Sequence, residues 1–133
     1  MDWYDHKLLY SPVAVDQDEI FWRRNMTDVF QKGTVLNLKS LVDYADGGVI
    51  SKQVLKNEVG NITLFSFDQG QGLSEHTAPF DAVVQILDGQ AEIRIGGTPL
   101  RLTIGETVIM PANIPHALHA VKKFKMLLTM IRG

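Results

Sequence analysis

From Val49 to Ile131 short apolar runs alternate with turn-forming residues at intervals of roughly 6 to 12 residues, the spacing of an all-β sandwich or barrel. The runs are Val49 to Leu55, Ile62 to Phe67, Ala82 to Leu87, Ala91 to Ile95, Leu100 to Ile104, Thr107 to Met110, His116 to Val121 and Phe124 to Ile131. Each has strand length and strand residues, which predicts about eight strands.

The punctuation between them is specific. Asn57-Glu58-Val59-Gly60-Asn61, Asp88-Gly89 and Gly96-Gly97 are tight hairpin signals, because primed turns need residues that accept positive φ. They predict antiparallel connections. In the last run Phe124, Met126, Leu128 and Met130 share one parity while Leu127, Thr129 and Ile131 share the other, the pattern of a strand covered on both faces.

Residues 1–48 read differently, as an N-terminal arm preceding a barrel domain over 49–133. No clean alternation runs through them, yet Trp3, Tyr4, Tyr10, Phe21, Trp22 and Phe30 all need burial. Either the arm wraps its own barrel or it packs across a two-fold axis onto a second subunit, making a homodimer. Asn37 to Val42 is either a short helical turn or a bent strand.

Composition narrows the chemistry. At 133 residues, 45% apolar and 21% charged, the chain can bury a proper core without disulfides or structural metal. The absence of cysteine removes thiolate catalysis, Cys-ligated zinc and iron–sulfur clusters. A net charge of −2 offers no basic footprint for nucleic acid or anionic membrane. Met1-Asp2-Trp3-Tyr4-Asp5-His6 places acids where a secretory signal needs basic residues, and no apolar stretch approaches a membrane span, so the expectation is a cytoplasmic protein. No Ser-His-Asp order, phosphate loop or nucleotide fingerprint is present.

Of the four histidines, His76 follows a Gly-rich segment from Gly70, and His116 follows a turn bracketed by Pro111 and Pro115. Two rigid turns thus deliver two imidazoles. In Gly70, His76 and Gly89 the sequence resembles the first motif of the cupin superfamily, and in Gly105, Pro111 and His116 the second. Asn113 stands where the second motif has Gly, a mild change because Asn tolerates the left-handed backbone. The fifteen residues between Gly89 and Gly105 fit the short spacing of compact microbial members. The resemblance implies an all-β jelly-roll barrel, a double-stranded β-helix, with a site inside it.

The resemblance also implies a four-ligand metal site, from which this chain departs. The positions of the four ligands are filled by His76, Ala78, Ala82 and His116, so two ligands, including the carboxylate, are missing. The expectation is a reduced two-His site, holding at most a divalent transition metal (Fe, Mn, Zn or Ni) at low occupancy. Asp81, in the Ala78-Pro79-Phe80-Asp81-Ala82 turn, is the best substitute carboxylate; the plain alternative makes it an Asx turn residue. Strand parity directs His119 and Gln85 outward, and argues against Glu75. Met110 helps to wall the pocket. Arg94 and Glu92 read as an outer-face charge pair, and Lys122, Lys123 and Lys125 as a solvated edge guard.

Three functions fit. The first is a barrel that binds a small polar molecule through His76 and His116, with Ala78, Ala82 and Met110 lining the pocket. The second is an enzyme: a metal-dependent oxygenase, isomerase or hydrolase using His76, His116 and Asp81, or a metal-free acid–base catalyst with His76 as base oriented by Asp81. The third is a non-catalytic dimerisation module whose functional part is the arm.

Overall fold

The computed structural model describes residues 30–132. The arm's aromatics from Trp3 to Trp22, and with them the choice between self-covering and subunit contact, lie outside the described residues.

Among the described residues seven strands follow one another: β1 (Val49–Asn57), β2 (Gly60–Phe67), β3 (Gly72–His76), β4 (Asp81–Ile95), β5 (Thr98–Thr103), β6 (Thr107–Met110) and β7 (His116–Ile131). Every pairing is antiparallel. A larger sheet is made of β1, β2, the C-terminal half of β7, the N-terminal half of β4, and β6. The smaller one is made of β3, the N-terminal half of β7, the C-terminal half of β4, and β5. Because β4 and β7 pass through both, the hydrogen bonding is continuous from one sheet to the other. This is the expected jelly-roll barrel.

The merging of four expected strands into two corrects the strand count. Ala82–Leu87 and Ala91–Ile95 both lie in β4, and His116–Val121 and Phe124–Ile131 both lie in β7. Asp88-Gly89 has the positive φ a hairpin needs, +76° at Gly89, but the chain does not reverse there. The β4–β7 register instead slips on either side of it, from Ile86 to Asp88 and from Gly89 to Ala91, leaving Val121, Lys122 and Lys123 opposite Gln90 alone. Bulges of this kind bend both strands and carry them between sheets. Gly89 is required at the bend, since a Cβ there would lie 1.8 Å from the carbonyl oxygen of Lys123. The other two hairpin signals hold: Asn57 pairs with Gly60, and Ile95 with Thr98 across Gly96-Gly97. Asn57 Oδ1 accepts hydrogen bonds from the amides of Val59 and Gly60. A second correction concerns β3, a strand inside the segment read as a Gly-rich turn.

Between the sheets lies the core. Phe67 stacks on Phe124 at 4.5 Å and on Phe65 at 5.7 Å, with Met126, Leu128, Val84 and Ile86 beside them. Met126, Leu128 and Met130 come from the inward parity of β7, as its alternation predicts.

The outer face of the larger sheet is covered by the segment after a 3₁₀ turn at Leu38–Ser40, which settles the helical alternative for that stretch. Lys52 Nζ donates to the Leu41 carbonyl, Ser66 Oγ to the Asp43 carbonyl and Lys125 Nζ to the Lys39 carbonyl, all between 2.7 and 2.9 Å. Val42 and Leu64 are fully buried there, apart from the barrel core. Ile131 stays 62% exposed, so the outward parity of β7 is covered only in part.

That cover corrects the reading of the lysines as an edge guard. β7 has partners on both sides, and Lys123 and Lys125 lie over the Tyr44 ring at 4.8 and 5.0 Å. Arg94 and Glu92 do form the expected charge pair, at 3.5 Å.

Candidate functional site

Two loops cross between the sheets at the same end of the barrel. Residues 77–80 join His76 on β3 to Asp81 on β4, and residues 111–115 join Met110 on β6 to His116 on β7. They are pinned to each other: the Asn113 amide donates to the Ala78 carbonyl at 2.7 Å, and the Ala112 amide to Asp81 Oδ1 at 2.8 Å. Asn113 holds φ at +64°, the left-handed conformation its position demands.

The pinned loops set His76 beside His116. The two are register partners across β3 and β7, and their rings meet edge to face with centroids 4.6 Å apart. His116 is 1% exposed, His76 is half-buried, and the Nε2 atom of His76 is itself buried. Ala78 and Ala82, at 2% and 0% exposure, are buried with Met110, and Ala82 pairs directly with Met110. The spacing of the two motifs therefore brings the expected set to one end of the barrel.

Each imidazole is oriented by a backbone carbonyl two residues upstream. His76 Nδ1 lies 2.7 Å from the Ser74 oxygen, and His116 Nδ1 lies 3.1 Å from the Ile114 oxygen. A carbonyl only accepts, so each Nδ1 carries the proton, and in the neutral ring Nε2 is left with the lone pair. Burial first, and the neighbouring His76 second, hold His116 below the ordinary imidazole range, which keeps it neutral.

The Asp81 carboxylate bonds across to the other loop rather than forming the Asx turn expected of it. Its carboxylate is exposed and fastens the 111–115 loop through Ala112, and the group at His76 Nδ1 is the Ser74 carbonyl. No cluster of three His, Asp or Glu able to hold a metal exists among the described residues. A transition metal in a catalytic site ordinarily has three protein ligands. Among the described residues, two imidazoles in the correct tautomer do not by themselves fit an Fe, Mn, Zn or Ni ion. His119 and Gln85 are exposed on the outside, as their parity requires, and so is Glu75.

One polar group escaped the motif spacing. Ser51, on β1, is 1% exposed. Its only sequence signal is a hydroxyl residue on the inward parity of an otherwise ordinary strand.

The fold and paired motifs define a small barrel protein of the cupin class. The chain belongs to the cupin family, whose cupin domain model matches residues 63–132, just over half its length. It is similar to a conserved Streptococcus pyogenes protein of unknown function, 40% identical over 77% of this chain and 90% of that one, with a TM-score of 0.74. A cupin 2 conserved barrel domain protein from Leptotrichia buccalis is 38% identical, covering 73% of this chain and 47% of its own, with a TM-score of 0.71. A cupin superfamily protein from Desulfitobacterium hafniense is 28% identical over 78% of this chain and 95% of its own, at a TM-score of 0.74. No curated protein matches the chain. Among the described residues no helix is long and apolar enough to cross a membrane.

Proposed function

We propose that this chain is a small-molecule-binding cupin whose ligand lies at the barrel end beside His76 and His116, against Ala78, Ala82 and Met110. The observation that carries the reading is the pair of adjacent imidazoles with both Nδ1 atoms committed to backbone carbonyls. With both rings neutral, such a pair carries a lone pair on each Nε2. It favours a ligand that donates hydrogen bonds through hydroxyl or N–H groups over a carboxylate or phosphate, which would set lone pair against lone pair in a desolvated site. Ala78 and Ala82 leave room for an organic body where larger ligating side chains would stand.

The enzyme alternatives have less support. The metal-dependent one needs a third ligand, and the acid–base one needs Asp81 at His76 Nδ1, where the Ser74 carbonyl stands.

The test is native mass spectrometry of the full chain, purified without chelator or nickel resin, with elemental analysis in parallel. The reading predicts a co-purified organic mass that is absent from His76→Ala, with metal well below one per chain in both proteins. Close to one metal per chain, lost in His76→Ala, would overturn it in favour of the metalloenzyme.

A further inference from the structure

The outer face of the larger sheet is covered over one part and bare over another. The register sets Leu55 opposite Ile62, Ile62 opposite Thr129, Thr129 opposite Val83 and Val83 opposite Ile109, one line across all five strands. Directly opposed residues share a face of a sheet. Thr129 stands between Leu128 and Met130, whose side chains lie in the core, so the line faces outward. All its members but Thr129 are aliphatic. Leu55 is 47% exposed and Ile109 60%, and Ile131, the next outward position on β7, is exposed as well.

The covering segment stops one line short. Leu64, buried together with Val42, and Lys52, bonded to the Leu41 carbonyl, are opposed to each other in the adjacent outward line. An antiparallel sheet with one free face ordinarily shows polar side chains there. An aliphatic line beside a buried one marks a surface that something else covers.

The chain itself brings a candidate to the spot. It passes through Leu38–Ser40 on this same face, where the Lys39 carbonyl is bonded to Lys125 of β7. Residues 1–29 precede it, and their bulkiest apolar run is Ile20-Phe21-Trp22. Trp22 lies sixteen residues before Leu38, a reach of at most roughly 50 Å. The line to be covered crosses five strands, about 19 Å. A tether of that length holds the run at a high effective concentration over its own face, ahead of any second copy.

We propose that Ile20-Phe21-Trp22 packs on the Leu55–Ile109 line of its own barrel, completing the outer cover that residues 38–44 begin. The occupant is a segment of the same chain, and with it in place this face is closed to a second copy.

The only two tryptophans are Trp3 and Trp22, and the chain has no cysteine. The full-length Trp3→Phe chain therefore reports Trp22 alone. Its emission should be blue-shifted, and its acrylamide quenching several-fold weaker, relative to the same chain unfolded in urea. Ile109→Lys or Leu55→Lys in that chain, each an exposed position on an edge strand, should shift the emission to the red and raise the quenching towards the unfolded value, with the strand circular dichroism kept. Ile104→Lys, exposed in the turn between β5 and β6, should change neither. In a second full-length chain, Arg23→Cys with Ile109→Cys, a short bis-maleimide should bridge the two thiols at the mass of one chain. Quenching of Trp22 as strong as in the unfolded chain, an emission that neither face variant moves or that Ile104→Lys moves equally, or no bridging would each overturn the proposal. Bridging at twice the mass of the chain would overturn it in favour of a second copy seated on this face.

Discussion

His76 and His116 stand edge to face at 4.6 Å, each turned by a carbonyl two residues before it. Because burial and the neighbouring imidazole depress the His116 pKa, the folded protein binds its proton less readily than the unfolded chain does. The resulting stability is fully present above the ordinary value of 6.5 and is lost as the pH falls towards the lowered folded value. Urea unfolding of the wild type should weaken on going from pH 7.5 to pH 5 more steeply than that of His116→Gln. Parallel profiles would show that His116 ionises as freely in the fold as outside it.

At the bend of β4, Gly89 is held by sterics as well as by dihedral angle. Gly89→Ala should destabilise by about 3 kcal/mol or more, since its Cβ meets the Lys123 carbonyl in a left-handed conformation. Gly97→Ala, at φ +83° with nothing within 4 Å of the new Cβ, should lose only about 1 kcal/mol. Denaturant midpoints of the two variants measure the difference, and equal losses would place the bend elsewhere.

Tyr44 ties the covering segment to the barrel through its hydroxyl, which donates to Asp88 Oδ2 at 2.5 Å. Burial, then the Asp88 carboxylate, raises the phenol far above its usual range. Tyr44→Phe should therefore lose about 1–2 kcal/mol of stability, the worth of a hydrogen bond to a charged acceptor that is partly open to solvent. A loss below roughly 0.3 kcal/mol would mean that the segment is held by its other contacts, the bonds from Lys52, Ser66 and Lys125 to its carbonyls and the burial of Val42.

Asp81 separates a loop fastener from a reacting group. Asp81→Asn keeps an oxygen able to accept from the Ala112 amide, so thermal stability and ligand binding should stay close to wild type. Asp81→Ala should lose about 1 kcal/mol and bind more weakly through the loosened 111–115 loop. Complete loss of binding or activity in Asp81→Asn, with the fold intact, would instead make the carboxylate charge essential.

The sequence periodicity located strands well where the signal is local. Asn57–Gly60 and Gly96-Gly97 are true two-residue hairpins. Asp88-Gly89 carries the same local signature, because a primed turn and a bulge both require positive φ. What separates them is the Lys123 backbone packed against Gly89, a contact 34 residues away that no local pattern holds. β3 was hidden for another reason: it is short, opens on Gly72, carries Ser74 and Glu75, and pairs only with β7.

The site divides along the same line. His76, His116, Ala78 and Ala82 were legible from motif spacing, since turns of fixed length deliver side chains to fixed places. The partner of Asp81 is an amide 31 residues further on. That bond depends on which strands pair, which only the assembled barrel decides.

The tautomer of the two imidazoles is the point on which the account rests. A long-range ¹H–¹⁵N spectrum of the histidine side chains in the full unliganded chain at pH 7.5, with His76→Ala and His116→Ala for assignment, reads it directly. Both rings should show a protonated Nδ1 and an unprotonated Nε2. A proton on Nε2 of either ring would contradict the account, because the barrel would then present a donor where a ligand is expected to donate.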